Sequence, residues 1–443
     1  MKRLQSSLFE DYAKKIFNEL LADESMTLTM SAEETFFARL SGAKVRQTTN
    51  LIQAYVEFSF IKGNKTLTFN LPYRSHDEDL VLAIKKIKDS RLWIEHLPED
   101  PYLVRPAFYG VTKEENLNLL PSNDKMLVEI LDMASGLDLA GVFSSGDIVN
   151  ATINSIGQFH WFKTRNFYLD YSLYNKNQKA VKSLFAGSLW NTDLLKQNVK
   201  DSEHKLSLMN RESKKIERGT YRAFLAPSAV SELLGTLSWG GLSMGAHKKG
   251  NGSLKDLWEK KRKLSPKFCL TEDYSLGMSP RFNDRGEMAP ALLSLIEKGE
   301  LQNFLTSTRI ANEFKVETNF SSDSESMRSP VVSTGNLTRE NILKELGTGL
   351  YLSDLHYLNW SDRETARVTG MTRYACFWVE NGEIVSPIVD LRFDESFYSI
   401  FGDALVDLTN YAETIPNTGS YFQRDLGGSK VPGILVSEFK FTL

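Results

Sequence analysis

The sequence predicts an α+β protein, with a small N-terminal helix and antiparallel-sheet domain, a middle α/β region, and a C-terminal domain of mainly antiparallel, curved β-sheet. Three observations carry this expectation. The first hundred residues pass from helical to alternating to helical period. A proline-punctuated segment, "LPEDPYLVRP", then interrupts the pattern. Beyond residue 219, strand-like segments dominate the chain to Leu443. The expected divisions are 1–100, 101–218 and 219–443, and at 443 residues the chain exceeds one ordinary core.

The elements follow in order. Leu8, Phe9, Tyr12, Ala13, Ile16, Phe17, Leu20 and Leu21 recur at helical spacing, with Glu10, Lys14, Lys15 and Glu19 on other faces. "TFFARLSGAKVRQTT" and "AYVEFSFIKGNKTLTFNLP" alternate, and Gly63-Asn64 supplies a hairpin turn in the second. "DEDLVLAIKKIKDS" returns to helical period, with acids at its start and lysines toward its end. In the middle region "NDKMLVEILDMAS" and "NTDLLKQNVKDSEHKLSLMNRESKKIE" read as helices flanking strands joined by turns. "TYRAFLAPSAVSELLGTLSWGG" reads as a strand running into a helix, and the Ser-rich "NFSSDSESMRSP" as a mobile loop.

Bulk properties exclude several classes. Hydrophobic content of 41%, charged content of 25% and a net charge of −3 are ordinary for a globular protein and give no general attraction to nucleic acid or anionic membrane. Acids interrupt the basic opening "MKRLQSSLFEDYAKK", which argues against a secretory signal, and no apolar run is long enough to span a bilayer. Cys269 and Cys376 are far apart and outside any CxxC, so a cytoplasmic, reducing location is expected.

Chemistry-bearing motifs are few. His76, His96, His160, His204, His247 and His356 never come closer than twenty residues, and no HExxH, HxH or ExxH pair is present. No metal site is therefore expected. "GLSMG" (241–245) matches GxSxG, but a helical pattern precedes it where a nucleophile elbow needs a strand, and no triad partner can be assigned. "GLSMGAHKKG" lacks the GK[ST] ending of a phosphate loop.

The densest stretch is "LYLSDLHYLNWSDRETARVTGMTR" (350–373). Read as a strand, it places Leu350, Leu352, Asp354, His356 and Leu358 on one face. An Asp two residues before a His could orient the ring and raise its pKa. A hydrogen-bonded polar pair on a half-buried sheet is the commoner role for a lone histidine. The following segments read as a β-meander to Val389, with a turn at Asn381-Gly382.

The run "GLYLSDLHYLNWSDRETARVTGMTRYACFWVENGEIVSPIVDLRF" (349–393) resembles the TldD/PmbA family, long labelled modulators of DNA gyrase. "INSIG", "GTYRAFLAPSAVSELLG", "FNDRGEM", "STGN" and "KVPGILVSEFKF" are similar to further family segments, so the resemblance spans nearly the whole chain. Within it, TldD-type subunits carry a zinc-binding HExxxH on the helix after a Gly-led strand, and a cysteine ligand near the C-terminus. Here Pro227 and Glu232 stand at the histidine positions and Ser228 at the general-base Glu, while "GGSKVPGIL" has no cysteine. The chain thus resembles the PmbA/TldE type.

That resemblance implies no catalytic residues and no zinc on this chain. It implies a heterodimer with a TldD-like subunit that supplies zinc, acting on unfolded peptides; pairing of the chain with itself stays open. Asp354, His356, Tyr357, Asn359, Thr372 and Arg373 become candidate groove or interface residues. A stand-alone, metal-independent peptidase built on Asp354 and His356, and a gyrase-modulating interaction protein, are the alternatives.

Overall fold

The computed structural model describes residues 4–442; the basic opening, residues 1–3, and residue 443 lie outside them. Helix α1 (Ser6–Phe17) buries Phe9, Tyr12, Ala13 and Ile16, the stripe that its period marks. It packs with α2 (Asp77–Trp93) on a sheet begun by β1 (Glu24–Leu40), β2 (Val45–Lys62) and β3 (Lys65–Pro72). The β2–β3 hairpin closes at Lys62 opposite Lys65, around the expected Gly63-Asn64 turn. Asp79 Oδ2 accepts the Arg74 and His76 amides and so fixes the entry to α2.

β4 (Val111–Asn116), α3 (Asn123–Met133), β5 (Asp138–Asn154), β6 (Phe159–Tyr174) and β7 (Ala180–Gly187) follow, then α4 (Thr192–Leu208). β5 pairs with β1 from Thr27 opposite Asn154 to Leu40 opposite Gly141, giving the sheet order β3-β2-β1-β5-β6-β4 with β7 also on β6. The expected boundary near residue 100 therefore falls between strands that share one sheet. Strand β4, which alternation did not reveal in "VTKEEN", lies parallel to β6.

The last half is built as two sheets, in agreement with the expected β-rich C-terminal architecture. Its first strand is β8 (Gly219–Leu225), followed by α5 (Pro227–Ser238). Next come β9 (Leu270–Asp273), β10 (Leu292–Glu297), β11 (Glu300–Leu301) and β12 (Pro330–Val332). β13 (Gly349–Leu352), β14 (Asp354–Asp362), β15 (Arg367–Arg373), β16 (Phe377–Glu380) and β17 (Glu383–Pro387) form the densest run. β18 (Arg392–Ser396), β19 (Leu405–Leu408), β20 (Glu413–Pro416), β21 (Gly428–Val431) and β22 (Ile434–Phe441) complete the chain. One sheet runs β11-β10-β9-β12-β21-β20, the other β14-β15-β18-β22-β8-β13-β16-β17, and their apolar faces share a single core.

The meander expected over 350–389 takes a different form. β13 pairs with β16, and β14 pairs with β15, so 349–380 is one long hairpin interrupted at residue 353 and again at 374–376. Its two halves meet different neighbours, β8 beside β13 and β18 beside β15. The sheet consequently curls back onto the same hairpin.

The Ser-rich segment 319–330 is irregular but pinned. The buried Glu325 carboxylate accepts Ser243 Oγ at 2.6 Å, the Gly245 amide at 2.7 Å and the Ser307 amide at 2.8 Å. Arg328 donates to the Phe282 carbonyl and the Tyr274 hydroxyl. The acidic composition that reads as mobile instead supplies a buried hydrogen-bond hub.

Candidate functional site

β8 hands the chain to α5 through Ala226, whose amide donates to the Leu352 carbonyl at 2.9 Å. Pro227 takes the first helical position, where a missing N–H costs nothing, and is buried. Ser228 is half-buried and Glu232 exposed. One residue before Glu232, Ser231 Oγ lies 2.8 Å from Ser429 Oγ, which ties the helix to β21. Pro227 has no side-chain donor atom, and among the described residues no three His, Cys, Asp or Glu side chains group so as to hold a metal ion. These residues do not fit zinc.

The hairpin beside α5 changes face where sequence alternation gave no warning. Leu350 and Leu352 enter the C-terminal core, and so does Leu355, three residues on. The interruption at Ser353 thus shifts the alternation by one, and a one-residue shift sends side chains to opposite faces. Asp354 and His356 therefore do not share the apolar face of Leu350 and Leu352. A second irregularity follows at Tyr357, whose φ of +53° is left-handed, and Leu358 turns back to the core.

The shift brings together groups from distant parts of the chain. Asp354 sits opposite Arg373 in the hairpin and shares its electrostatic surroundings with Lys182 of β7 and Lys205 of α4. Burial pushes the Asp354 carboxyl above the usual range, outweighing the pull of both lysines. Tyr351, whose ring centroid is 5.9 Å from Lys205 Nζ, is the first cause holding Lys205 above its ordinary value; Asp354, Glu413 and Asp201 add to it against burial. Burial lowers Lys182, but Asp170, at 3.5 Å, with Tyr374 and Asp354, raises it overall. Glu232 reaches water, yet the surrounding protein raises its carboxyl; Lys182 opposes and Asp354 reinforces that rise.

His356 behaves contrary to the sequence expectation. Burial first, then the Arg373 and Lys182 cations, lower its pKa. Its ring lies 4.2 Å from that of Tyr357, centroid to centroid. These influences favour the neutral imidazole, the reverse of what an adjacent carboxylate would do.

The other expected positions divide. Thr372 is buried and its Oγ1 accepts the Leu391 amide at 2.9 Å, a structural role. Tyr357, Asn359 and Arg373 are exposed and available to a ligand or another chain. Ser243 caps a short helix and donates to Glu325, which leaves "GLSMG" a structural turn. Sequence reasoning missed Lys182, Lys205 and Asp170, which lie on elements with no motif of their own. Lys182, Lys205, Asp354 and Glu232, from four separate elements, thus bias one another's ionisation.

A family model, the PmbA/TldA metallopeptidase C-terminal domain, matches residues 218–443, just over half of the chain. Among solved structures, a protein from Bacteroides thetaiotaomicron described as a modulator of DNA gyrase superposes with a TM-score of 0.78 at 16% identity, covering 98% of each chain. TldE from Thermococcus kodakarensis gives 0.76 at 14% identity, covering 98% of this chain and 100% of its own. A Thermotoga maritima protein, also described as a modulator of a DNA gyrase, gives 0.75 at 17% identity with the same coverage. At these identities the likeness is one of fold. No curated protein matches the chain in sequence.

Proposed function

This chain belongs to the PmbA/TldD metallopeptidase family, and from that premise we propose that it is the zinc-free subunit of a two-chain peptidase acting on flexible peptides. Its part is to complete the chamber and to hold substrate, while a TldD-like partner supplies zinc and hydrolysis. The single observation that carries this reading is the first turn of α5. Pro227 and Ser228 offer no imidazole or carboxylate there, and Glu232 stands alone.

The charged face between α4, β7 and the hairpin supports the substrate role. Lys182 and Lys205 offer donors to peptide carbonyls and carboxylates, and Asp354 and His356 offer groups to peptide amides. Exposed strand edges add sequence-independent main-chain hydrogen bonding. Tyr357, Asn359 and Arg373 border this face as groove or interface residues.

The test is reconstitution. The purified chain should hold no stoichiometric zinc and leave an unfolded peptide intact, and cleavage should appear when a TldD-like subunit is added. Chelator-resistant cleavage by this chain alone, lost in His356→Ala, would replace the proposal with a metal-independent peptidase. Capture of gyrase without any peptidase partner would replace it with an interaction protein.

A further inference from the structure

A cavity of about 510 Å³ lies where β4, β6 and β7 meet β20 and the segment that follows it. It is separate from the face around Asp354 and contains none of the residues expected from the sequence. Arg424 lines it and is 3% exposed. One guanidinium nitrogen, Nη2, donates to Asn166 Oδ1, whereas Nε and Nη1 have no hydrogen-bond partner. The group also lies 5.4 Å over the Tyr168 ring.

A buried guanidinium with two idle donors is costly and calls for an explanation. The neighbouring carboxylates do not supply one. Glu33 accepts Thr35 Oγ1 and Gln53 Nε2, and Asp147 accepts Arg165 and Lys163. Among the described residues Arg424 forms no ion pair within 4 Å. Burial accordingly lowers its pKa to about 10. Nε and Nη1 are themselves buried, so an anion entering the cavity meets these desolvated donors once the guanidinium turns toward it.

The walls indicate which anion. Glu114 and Asp425 line the same cavity and disfavour a dianion more than a single carboxylate. Asn116, Asn118 and Asn417 add amide groups that can both donate and accept. β4, β7 and β20, each with a single strand neighbour in its sheet, contribute Glu114 and Asn116, Ala186 and Gly187, and Thr414 and Pro416 to the walls.

We propose that this cavity receives the C-terminal carboxylate of an extended peptide, with Arg424 as the carboxylate receptor and the asparagine amides of the walls as partners for the peptide groups next to it. The inference rests on the peptide-handling reading above and adds to it a preference for free chain ends.

Fluorescence anisotropy of the full chain with one labelled unstructured decapeptide, as free acid and as C-terminal amide, tests it. The acid should bind at least tenfold more tightly, and Arg424→Gln should abolish the difference. Because Arg424→Gln alters a buried side chain, the exposed Asn118→Asp provides an independent arm; its added negative charge should weaken the acid about threefold more than the amide. Equal binding of acid and amide overturns the inference but leaves the peptide-handling reading standing. Binding of neither overturns both. Inorganic phosphate that binds in an Arg424-dependent manner, without discrimination between the two peptides, assigns the cavity to a free anion and overturns the inference.

Discussion

Ser231 Oγ and Ser429 Oγ lie 2.8 Å apart and join α5 to β21 near the end of the chain. Ser429 is 5% exposed, so removing one hydroxyl leaves the other without its buried partner. Ser231→Ala and Ser429→Ala should each cost about 1 kcal/mol. The double variant should cost less than the sum, which a urea double-mutant cycle measures. Strict additivity would show that the two hydroxyls do not interact.

His160 gives the fold a pH dependence. It is fully buried, its Nδ1 lies 2.8 Å from Thr112 Oγ1, and its ring stacks on Phe282. Burial lowers its pKa to about 4. Between that value and the ordinary histidine value the unfolded chain binds more protons than the folded one, so stability falls as the medium is acidified through this window. The loss reaches about 3 kcal/mol at its lower end. Thermal melting from pH 7 to pH 4.5 should show the decline, and His160→Gln should flatten it.

Glu325 should be a costly residue to lose. Its carboxylate holds Ser243 Oγ and the amides of Gly245 and Ser307, all buried. Glu325→Ala should destabilise by about 3 kcal/mol, because unpaired buried donors forfeit their solvation. Denaturant titration reads this as a lower midpoint with an unchanged slope. A neutral outcome would show that the segment 319–330 does not depend on this hub.

Asp354 should respond in the opposite sense. Burial raises its carboxyl, so its ionised form disfavours folding as pH rises above the ordinary Asp range. Asp354→Asn retains the shape without the charge and should leave stability at pH 7 unchanged or higher. In the reconstituted pair it should weaken peptide binding if Asp354 meets substrate amides. Equal KM for wild type and variant would remove Asp354 from the groove.

Much of the architecture was legible because it is written locally. The buried stripe of α1 and the Gly63-Asn64 hairpin follow directly from periodicity and turn chemistry. The Pro227 helix start is equally local. The motif search likewise anticipated that "GLSMG" has no elbow geometry. The candidate face was less legible. Its key shift arises at Ser353, and neither the serine nor the leucines around it signal an interruption.

The amino-acid order alone determined most of the element types and carried the family resemblance. It also determined the chemistry of the α5 turn, since a proline ring carries no donor atom wherever the chain folds. Tertiary structure alone decided that Lys182 and Lys205 stand in the electrostatic surroundings of Asp354, and that Arg424 is buried with idle donors. The physical reason is range: periodicity and capping act over a few residues, whereas desolvation and charge pairing depend on which distant segments the sheets bring together.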